Sequence, residues 1–288
     1  MNYLVISPYY PQNFQQFTIE LANKGITVLG IGQEPYEQLD EPLRNSLTEY
    51  FRVDNMENLD EVKRAAAFLF YKHGPIDRIE SHNEYWLELD AALREQFNVF
   101  GAKPKDLKKT KFKSEMKKLF KKAGVPVVPG AVVKAEKDID KAVKKIGLPL
   151  IAKPDNGVGA AATFKIETPE DVNRFKAEWD GHTEYFFEKF VLSSEICTFD
   201  GLVDRDGNIV FSTTFDYAYT PLDLMLYKMD NSYYVLKEMD PKLRQYGEAI
   251  VKAFGMKERF FHIEFFRDGD DYIAIEYNNR PAGGFTID

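Results

Sequence analysis

Phe260-Phe-His-Ile-Glu264-Phe-Phe-Arg-Asp-Gly-Asp-Asp-Tyr-Ile-Ala-Ile-Glu276-Tyr-Asn278-Asn-Arg280-Pro-Ala-Gly-Gly is the stretch from which the fold can be argued. Two strands joined by the Asp-Gly-Asp-Asp turn are predicted here, because a cluster of turn residues separates two alternating runs. With the turn centred on Asp270, Glu264 and Glu276 lie directly opposite each other. The period of two then defines two faces. The polar face carries His262, Glu264, Glu276, Asn278 and Arg280, and the apolar face carries Ile263, Phe265, Ile275 and Tyr277.

Two carboxylates that face each other across a ladder destabilise it unless a cation offsets them. Hard oxygen ligands on one face suit Mg²⁺ held between protein and phosphate oxygens. The plainer interpretation is the solvated polar face of an amphipathic hairpin. The metal interpretation is preferred because other segments of the chain call for the same ion.

Composition limits the classes of function. The chain has 288 residues with 44% hydrophobic and 14% aromatic residues, which suits two or three packed units and excludes wholesale disorder. A net charge of −8 argues against general nucleic-acid binding. The single cysteine, Cys197, lies in an apolar run and is expected to be a buried structural thiol. Neither a signal peptide nor an uncharged run of membrane-spanning length is recognised, so a cytoplasmic protein without membrane partners is expected.

Residues 1–100 alternate strands and helices, which predicts a parallel, doubly wound sheet. The strands are expected near Tyr3–Ser7, Ile26–Gly30 and Ile76–Glu80, and the helices near Phe14–Lys24, Leu59–Tyr71 and Asn83–Phe97. The first strand-to-helix turn lacks the glycines of a dinucleotide fingerprint. No cofactor is therefore assigned to this unit.

The rest of the chain mixes short strands with helices. Half of the residues from Lys103 to Lys122 are lysine, on a predicted helix that is expected to be a mainly solvated face. Further strands are predicted at Val127–Val133, Leu150–Lys153, Phe164–Ile166, Tyr185–Phe190, Glu195–Val203 and Ile209–Phe215. Helices are predicted at Glu136–Lys145, Pro169–Glu178 and Pro241–Phe254.

A loop of small residues follows Lys153, with Gly157 and Gly159 in a G-x-G-x-x-A pattern. A dinucleotide loop is disfavoured because the next segment is strand-like rather than helical. A hairpin whose N–H groups cover phosphates, with Lys153 as a point charge, is one interpretation. An ordinary flexible loop is the other, and the motif alone does not separate them.

In order, these segments resemble the ATP-grasp superfamily over nearly the whole chain. The resemblance rests on Lys113 before Ala-Gly-Val-Pro, on Leu150-Ile-Ala-Lys153-Pro with its loop, on Glu188-Lys-Phe-Val with Glu195, and on His262-Ile-Glu264 and Glu276-Tyr-Asn278-Asn-Arg280. The N-terminal segments resemble the pre-ATP-grasp unit of the biotin-carboxylase, carbamoyl-phosphate-synthase and carnosine-synthase-like branch. The implied fold class is α/β and α+β, with a pre-ATP-grasp domain at 1–101 and an ATP-grasp domain at 102–288. The latter would comprise a lid at about 125–188 and an antiparallel-sheet C-terminal subdomain at about 189–288.

The resemblance also implies roles for individual residues. Lys113, with Lys111 as the fallback, and Lys153 would contact the ATP phosphates under the loop of Gly157 and Gly159. The adenine would meet Glu188 and the backbone of Lys189 and Val191, and Glu195 would bind the ribose. Glu264, Glu276 and Asn278 would hold one or two Mg²⁺ ions, which Mn²⁺ can replace. Arg280 would stabilise the transferring phosphoryl group or the acyl phosphate.

The implied chemistry is activation of a carboxylate as an acyl phosphate, followed by displacement by a second nucleophile. Pro281-Ala-Gly-Gly after the arginine is more similar to amino-acid and peptide ligases than to biotin carboxylases, so a carboxylate–amine ligase is preferred. A former of carboxyphosphate, or a nucleotide-binding fragment without turnover, remains an alternative. The chain stops at Asp288, where relatives usually continue, so an incomplete C-terminal subdomain is expected. Asp216, Tyr217 and Tyr219 are the candidates for the substrate pocket, and a homodimer is kept open because the branch frequently dimerises.

Overall fold

The computed structural model describes residues 1–156, 162–192, 195–219, 230 and 232–283. The chain forms two compact units. The first comprises Met1–Leu107 with Arg280–Asp288, and the second comprises Lys108–Asn279. The assignment of domains to 1–101 and 102–288 stays a prediction.

The first unit is built on a four-stranded parallel sheet with the strand order β3-β2-β1-β4. Its strands are β1 (Asn2–Ile6), β2 (Thr27–Gly32), β3 (Glu49–Arg52) and β4 (Arg78–Glu80), and its helices are α1 (Gln15–Asn23), α2 (Glu41–Ser46), α3 (Leu59–His73) and α4 (Leu87–Gln96). Short 3-10 turns lie at Gln12–Phe14, Tyr36–Gln38 and Pro104–Asp106. The doubly wound architecture expected from the alternation is confirmed, while β3 and α2 were not foreseen.

Successive side chains of β1 pack into two hydrophobic cores, one on each face of the sheet. Leu4 and Ile6 pack into one cluster with Ala65 of α3 and Leu93 of α4. Val5 points the other way, into a second cluster that includes residues of α2 and α1. The near-continuous apolar strands are what a parallel sheet covered on both faces requires.

The second unit begins with helices and a four-stranded antiparallel sheet. The helices α5 (Lys108–Lys111) and α6 (Lys113–Lys122) precede β5 (Gly130–Val133), α7 (Glu136–Ile146), β6 (Leu150–Pro154), β7 (Phe164–Ile166), α8 (Pro169–Glu178) and β8 (Tyr185–Lys189). The strand order is β5-β8-β6-β7. Phe175 and Phe187 lie in its fully buried core with residues of α7. In this sheet Lys153 on β6 lies diagonally across from Glu188 on β8, because Glu188 pairs with Ile151.

A six-stranded antiparallel sheet forms the remainder of the second unit. It contains β9 (Ile196–Val203), β10 (Ile209–Thr213), β11 (Phe215–Tyr217), β12 (Tyr233–Val235), β13 (Arg259–Asp268) and β14 (Asp271–Asn278), with α9 (Pro241–Phe254) packed against it. The order is β12-β11-β9-β13-β14, and β10 also pairs with β9. Phe254 of α9 stacks on Tyr277 of β14 with ring centroids 4.2 Å apart. The mixed α/β and α+β class expected from the sequence is confirmed.

The terminal hairpin pairs Glu264 with Glu276, as the alternation predicted. The turn itself joins Asp268 to Asp271, so it is not centred on Asp270. A β-bulge at Ile275 reconciles the two registers, because Phe265 pairs with Ala274. The expectation for Ile275 was therefore wrong: Ala274 is fully buried on the apolar face, and Ile275 is only half-buried.

No helix among the described residues is long and apolar enough to cross a membrane.

Candidate active site

The facing carboxylates of β13 and β14 each have a cationic neighbour. Lys113 Nζ lies 3.4 Å from Glu276 Oε1, and His262 Nε2 lies 3.1 Å from Glu264 Oε1. Both carboxylates keep about a fifth of their side-chain surface exposed, at 23% and 19%. They are thus held in a charged, partly open environment to which a ligand has access.

His262 is buried and charged. Its Nδ1 donates to Asp200 Oδ1 at 2.7 Å, and Thr198 donates its hydroxyl to the other oxygen of Asp200. Burial lowers the pKa of His262, but Asp200 and Glu264 outweigh it and raise the pKa to about 9. A histidine that donates both ring protons has no lone pair for proton abstraction. It is suited to orienting Glu264 rather than to acting as a base.

The donor set fits a magnesium ion. Glu264 and Glu276 are cross-strand neighbours, and Asn278 pairs with His262 at the next buried position of the same face. Among the described residues no group of three or more histidine, cysteine, aspartate or glutamate side chains is arranged to hold a metal by itself. Mg²⁺ needs no such cage, since it is usually bound through one or two carboxylates together with substrate phosphates.

Lys113 is placed by an unusual helix start. The predicted single helix from Lys103 to Lys122 is interrupted at Phe112, and α6 begins at Lys113. Phe112 has no capping side chain. Asp155, just after β6, caps α6 instead: its Oδ1 accepts from Ser114 N and its Oδ2 from Ser114 Oγ, both at 2.7 Å. Its backbone carbonyl also accepts from Lys113 N at 2.9 Å.

The position at which α6 begins distinguishes the two lysines that were candidates for phosphate binding. Lys113 is buried and reaches Glu276, whereas Lys111 ends α5 and is half-buried. The geometry supports Lys113 over Lys111 as the lysine beside the carboxylates.

Glu188 lies between two lysines. Its Oε1 is 2.8 Å from Lys153 Nζ, and its Oε2 is 3.1 Å from Lys117 Nζ. Burial would raise the pKa of Glu188, but the two lysine charges outweigh it and lower the pKa to about 2. Lys117 also donates to the carbonyl of Ala274, on the strand that carries Glu276. Burial would lower the pKa of Lys153, but Glu188 outweighs it, with smaller contributions from Glu276 and Glu264, so the pKa is raised.

The segment expected to contact adenine begins at the end of β8. The N–H of Lys189 donates to the carbonyl of Pro129 at 3.0 Å, and its ammonium group donates to the carbonyl of Leu148 at 2.9 Å. Val191 is half-buried. Glu195 is exposed, with its carboxylate 3.8 Å from Arg267. The adenine and ribose roles of these residues stay predictions.

The other expected site residues have different surroundings. Gly157 and Gly159 lie outside the described residues. Arg280 belongs to the first unit, where its Nε is 3.7 Å from Glu84 Oε2. Asp216 is buried and accepts from Arg267 Nη2 at 3.0 Å, which is a structural ion pair.

The two remaining substrate-pocket candidates flank the end of β11. Tyr217 is half-buried and Tyr219 is exposed. Their proposed contacts with substrate are not tested.

Three residues that contact the expected site residues of the second unit were not singled out from the sequence: Lys117, Asp155 and Asp200. Lys117 lies one helical turn after Lys113, so it shares a helix face with it, and this spacing could have identified it. Asp155 and Asp200 make contacts across more than forty residues, and no local pattern predicts such contacts.

Part of the chain matches a known domain family. Residues 146–288 match the model of the ATP-grasp domain family. The chain is 27% identical over 242 residues to the L-arginine-specific L-amino acid ligase of Bacillus subtilis, an alignment that covers 81% of the chain and 58% of that protein. The chain therefore spans somewhat more than half the length of this relative.

Solved structures share the fold at low sequence identity, as two examples show. The L-amino acid ligase from Bacillus licheniformis superimposes with a TM-score of 0.73 at 15% identity, covering 97% of this chain and 66% of that one. The biotin carboxylase domain of the 2-oxoglutarate carboxylase from Hydrogenobacter thermophilus, solved as a dimer with MgADP and bicarbonate, gives a TM-score of 0.73 at 20% identity. It covers 98% of this chain and 64% of that one.

Proposed function

Because the chain carries an ATP-grasp domain over residues 146–288, we propose that it is an ATP- and Mg²⁺-dependent carboxylate–amine ligase of the amino-acid or peptide ligase type. The observation that carries the proposal is the charge cluster of the second unit. Glu276, which faces Glu264 across the hairpin, lies 3.4 Å from Lys113, and Lys153 forms an ion pair with Glu188. A nucleoside triphosphate with its metal requires cationic side chains for the phosphate oxygens and carboxylates for the metal.

In this proposal Lys113 and Lys153 bind the phosphates of ATP. Lys153 exchanges part of its contact with Glu188 for phosphate oxygens, and Glu188 keeps Lys117 as its partner. The buried carboxylate is then never left without a cation, which would cost several kcal/mol. The backbone of Lys189 and Val191 would bind the adenine, and Glu195 would bind the ribose.

The reaction takes place in two steps. A carboxylate oxygen of the first substrate attacks the γ-phosphorus, the bond from phosphorus to the ADP oxygen breaks, and an acyl phosphate forms. The amine nitrogen of the second substrate attacks the acyl carbon, phosphate leaves, and the nitrogen releases its proton. Positioning and charge neutralisation supply most of the catalysis in such transfers.

Glu264, Glu276 and Asn278 would hold the metal, which neutralises charge on the phosphate oxygens when it is bound. His262 keeps Glu264 in place by donating to it. Arg280 is proposed to stabilise the transferring phosphoryl group, and Gly157 and Gly159 to cover the phosphates. A cytoplasmic location and a homodimer are further expectations from the sequence.

The second candidate is a carboxyphosphate-forming enzyme. It is favoured by the fold shared with the biotin carboxylase domain that was solved with MgADP and bicarbonate. The Pro281-Ala-Gly-Gly segment and the L-amino acid ligase relative favour the amine ligase instead.

One screen separates these functions. ADP and phosphate release is measured with pairs of amino acids, and in parallel with bicarbonate plus biotin. We expect release that requires two amino acids and yields a new amide by mass spectrometry. Release with bicarbonate and biotin alone would assign the second function, and MgATP binding without turnover in any mixture would assign a binding module.

The metal assignment has its own control in the same assay. Glu276→Gln should abolish turnover, because it removes one of the two facing carboxylates. Glu248→Gln changes an exposed glutamate of α9 and should leave turnover intact. Equal rates in the two variants would overturn the assignment of Glu276.

A further inference from the structure

The parallel sheet of the first unit has a crevice at the position where its strand order reverses. From β1 the chain first adds β2 and β3 on one side, and then places β4 on the other. At such a reversal, the chain segments after the two neighbouring strands turn away in opposite directions. They leave a crevice at the carboxyl ends of the strands, and ligands of open α/β sheets bind there. Here Ser7 follows β1 and Asn83 lies just beyond β4.

A cavity of about 320 Å³ occupies this crevice. It is lined by residues that follow β1, β2 and β4, among them Ser7, Gln33, Glu34, Asn83 and Trp86. A volume of this order accommodates a small organic molecule. The sequence assigned no ligand to this unit because it lacks the glycines of a dinucleotide loop, but their absence excludes only that class of ligand.

Backbone strain marks the same place. Ser7 has φ 55° and His82 has φ 56°, so both adopt the left-handed conformation that non-glycine residues rarely take. One follows β1 and the other follows β4, which puts the two strained residues on either side of the reversal. Strain of this kind concentrates at ligand sites.

Glu34 gives the cavity a negative group. The residue is half-buried, and its Oε2 is shielded from solvent and has no hydrogen-bond partner in the described part of the chain. The nearby Tyr50 donates its hydroxyl to the backbone carbonyl of Glu34 at 2.8 Å, so it does not satisfy the carboxylate.

The neighbouring guanidinium group is engaged elsewhere. Arg52 Nε donates to the carbonyl of Gln33 at 3.1 Å, and its Nη1 is 3.3 Å from Asp54. A carboxylate that has lost water on one side is stabilised by a cation from outside the chain.

Aromatic rings form the other wall. Trp86 is half-buried and meets Tyr85 edge-on, with ring centroids 4.7 Å apart. Asn83 fixes this loop, since its Oδ1 accepts from Tyr85 N at 2.9 Å. Aromatic faces attract organic cations and provide area for an apolar body.

We propose that this cavity binds a small organic ammonium ion, with the ammonium group at Glu34 and the apolar body against Trp86. The site lies wholly within the first unit and goes beyond the proposed ligase function.

The test uses benzylammonium as the probe and the full chain without nucleotide. Isothermal titration compares it with benzyl alcohol and benzoate, which have a similar shape and no positive charge. We expect benzylammonium to bind at least about tenfold more tightly than either, the size of one charge-assisted hydrogen bond. Equal affinities for the three molecules, or no binding of benzylammonium, would overturn the proposal.

Two variants assign the charge. Glu34→Gln should remove the preference for benzylammonium over benzyl alcohol, while Glu37→Gln, an exposed residue of the adjacent 3-10 turn, should retain it. A preference that survives Glu34→Gln would refute the role of that carboxylate. Should Glu34→Gln not fold, intermolecular NOEs between the benzylammonium ring and the Trp86 indole in the wild-type protein decide the question, and their absence would count against the site.

Discussion

Glu188 holds two buried or partly buried lysines in place. Burial lowers the pKa of Lys117 and the charge of Glu188 opposes that shift, whereas the pKa of Lys153 is raised. The role of Glu188 follows from the ion pairs of 2.8 Å with Lys153 and 3.1 Å with Lys117. Glu188 was predicted to be a site residue because Glu188-Lys-Phe-Val resembles a segment of the ATP-grasp superfamily. Its proposed contact with adenine stays a prediction. The ion pairs could not be foreseen, because they join α6, β6 and β8, and those elements meet only in the folded chain.

Glu188→Gln should destabilise the second unit by about 3 kcal/mol at pH 7, because it leaves buried ammonium groups without their counter-charge. The pKa of Glu188 is lowered from 4.5 to about 2, so its contribution is fully present above pH 4.5 and is lost as the pH falls towards 2. Urea unfolding of the wild type and the variant between pH 7 and pH 2 measures the difference. A difference in free energy of unfolding between the two proteins that stays constant down to pH 2 would contradict the ion-pair role.

Asp155 performs for α6 the capping that Phe112 cannot. Phe112, which precedes Lys113, has no side-chain acceptor for the N–H groups of the first turn. The structure supplies a carboxylate from the end of β6, which ties the start of α6 to the strand that carries Lys153. The missing cap is thus supplied by a residue forty-three positions after Phe112.

Asp155→Ala should lower the free energy of unfolding by about 1 kcal/mol, as the loss of a helix cap does, and should also weaken MgADP binding because Lys113 loses its fixed position. Thr168→Ala is the matched control. It removes the cap of α8, where Thr168 accepts from Asp171 N, and should cost similar stability without changing nucleotide affinity. Equal losses of affinity in both variants would show that the effect of Asp155 is only structural.

At the scale of elements, the terminal hairpin was predictable and its bulge was not. Alternation of polar and apolar residues gave the pairing of Glu264 with Glu276. The extra residue at Ile275 reflects packing: Ala274 and Tyr277 are both fully buried on the core face, and only a bulge between them permits this. Local alternation contains no signal for such an insertion.

Helix α9 supports the sheet through a glycine contact. A Cβ at Gly247 would lie 2.2 Å from Cδ1 of Phe199 on β9, the strand that pairs with β13. Contact this close requires a residue without a side chain, and it fixes how near the helix approaches the strands that present His262 and Glu264.

Gly247→Ala should therefore destabilise the protein by about 1–3 kcal/mol, although alanine is the better helix former. The change would force Phe199 out of its position. Glu248→Ala, at the next and exposed position of the helix, serves as the control and should change stability little. The midpoint and slope of urea unfolding decide between them, and a stabilised Gly247→Ala protein would refute the close packing.

For the whole molecule, the order of segments was the informative property. A glycine-poor α/β unit, a lysine helix, a lysine–small-residue loop and a carboxylate hairpin follow one another along the chain. Residues 146–288 match the ATP-grasp domain family, and the fold is shared with the L-amino acid ligase from Bacillus licheniformis. The two compact units were not predictable in detail, since the segment from Arg280 joins the first unit. Chain order does not determine with which unit a terminal segment packs.

The central claim is that the charge cluster of the second unit binds ATP with its metal. The most direct test is the dissociation constant of MgADP for the wild type, for Lys153→Gln and for Lys141→Gln, an exposed lysine of α7, by isothermal titration. We expect the wild type and Lys141→Gln to bind equally, and Lys153→Gln to bind at least about tenfold more weakly, as the loss of a charge-assisted contact to phosphate implies. Absence of MgADP binding by the wild type, or equal affinity in all three proteins, would contradict the claim.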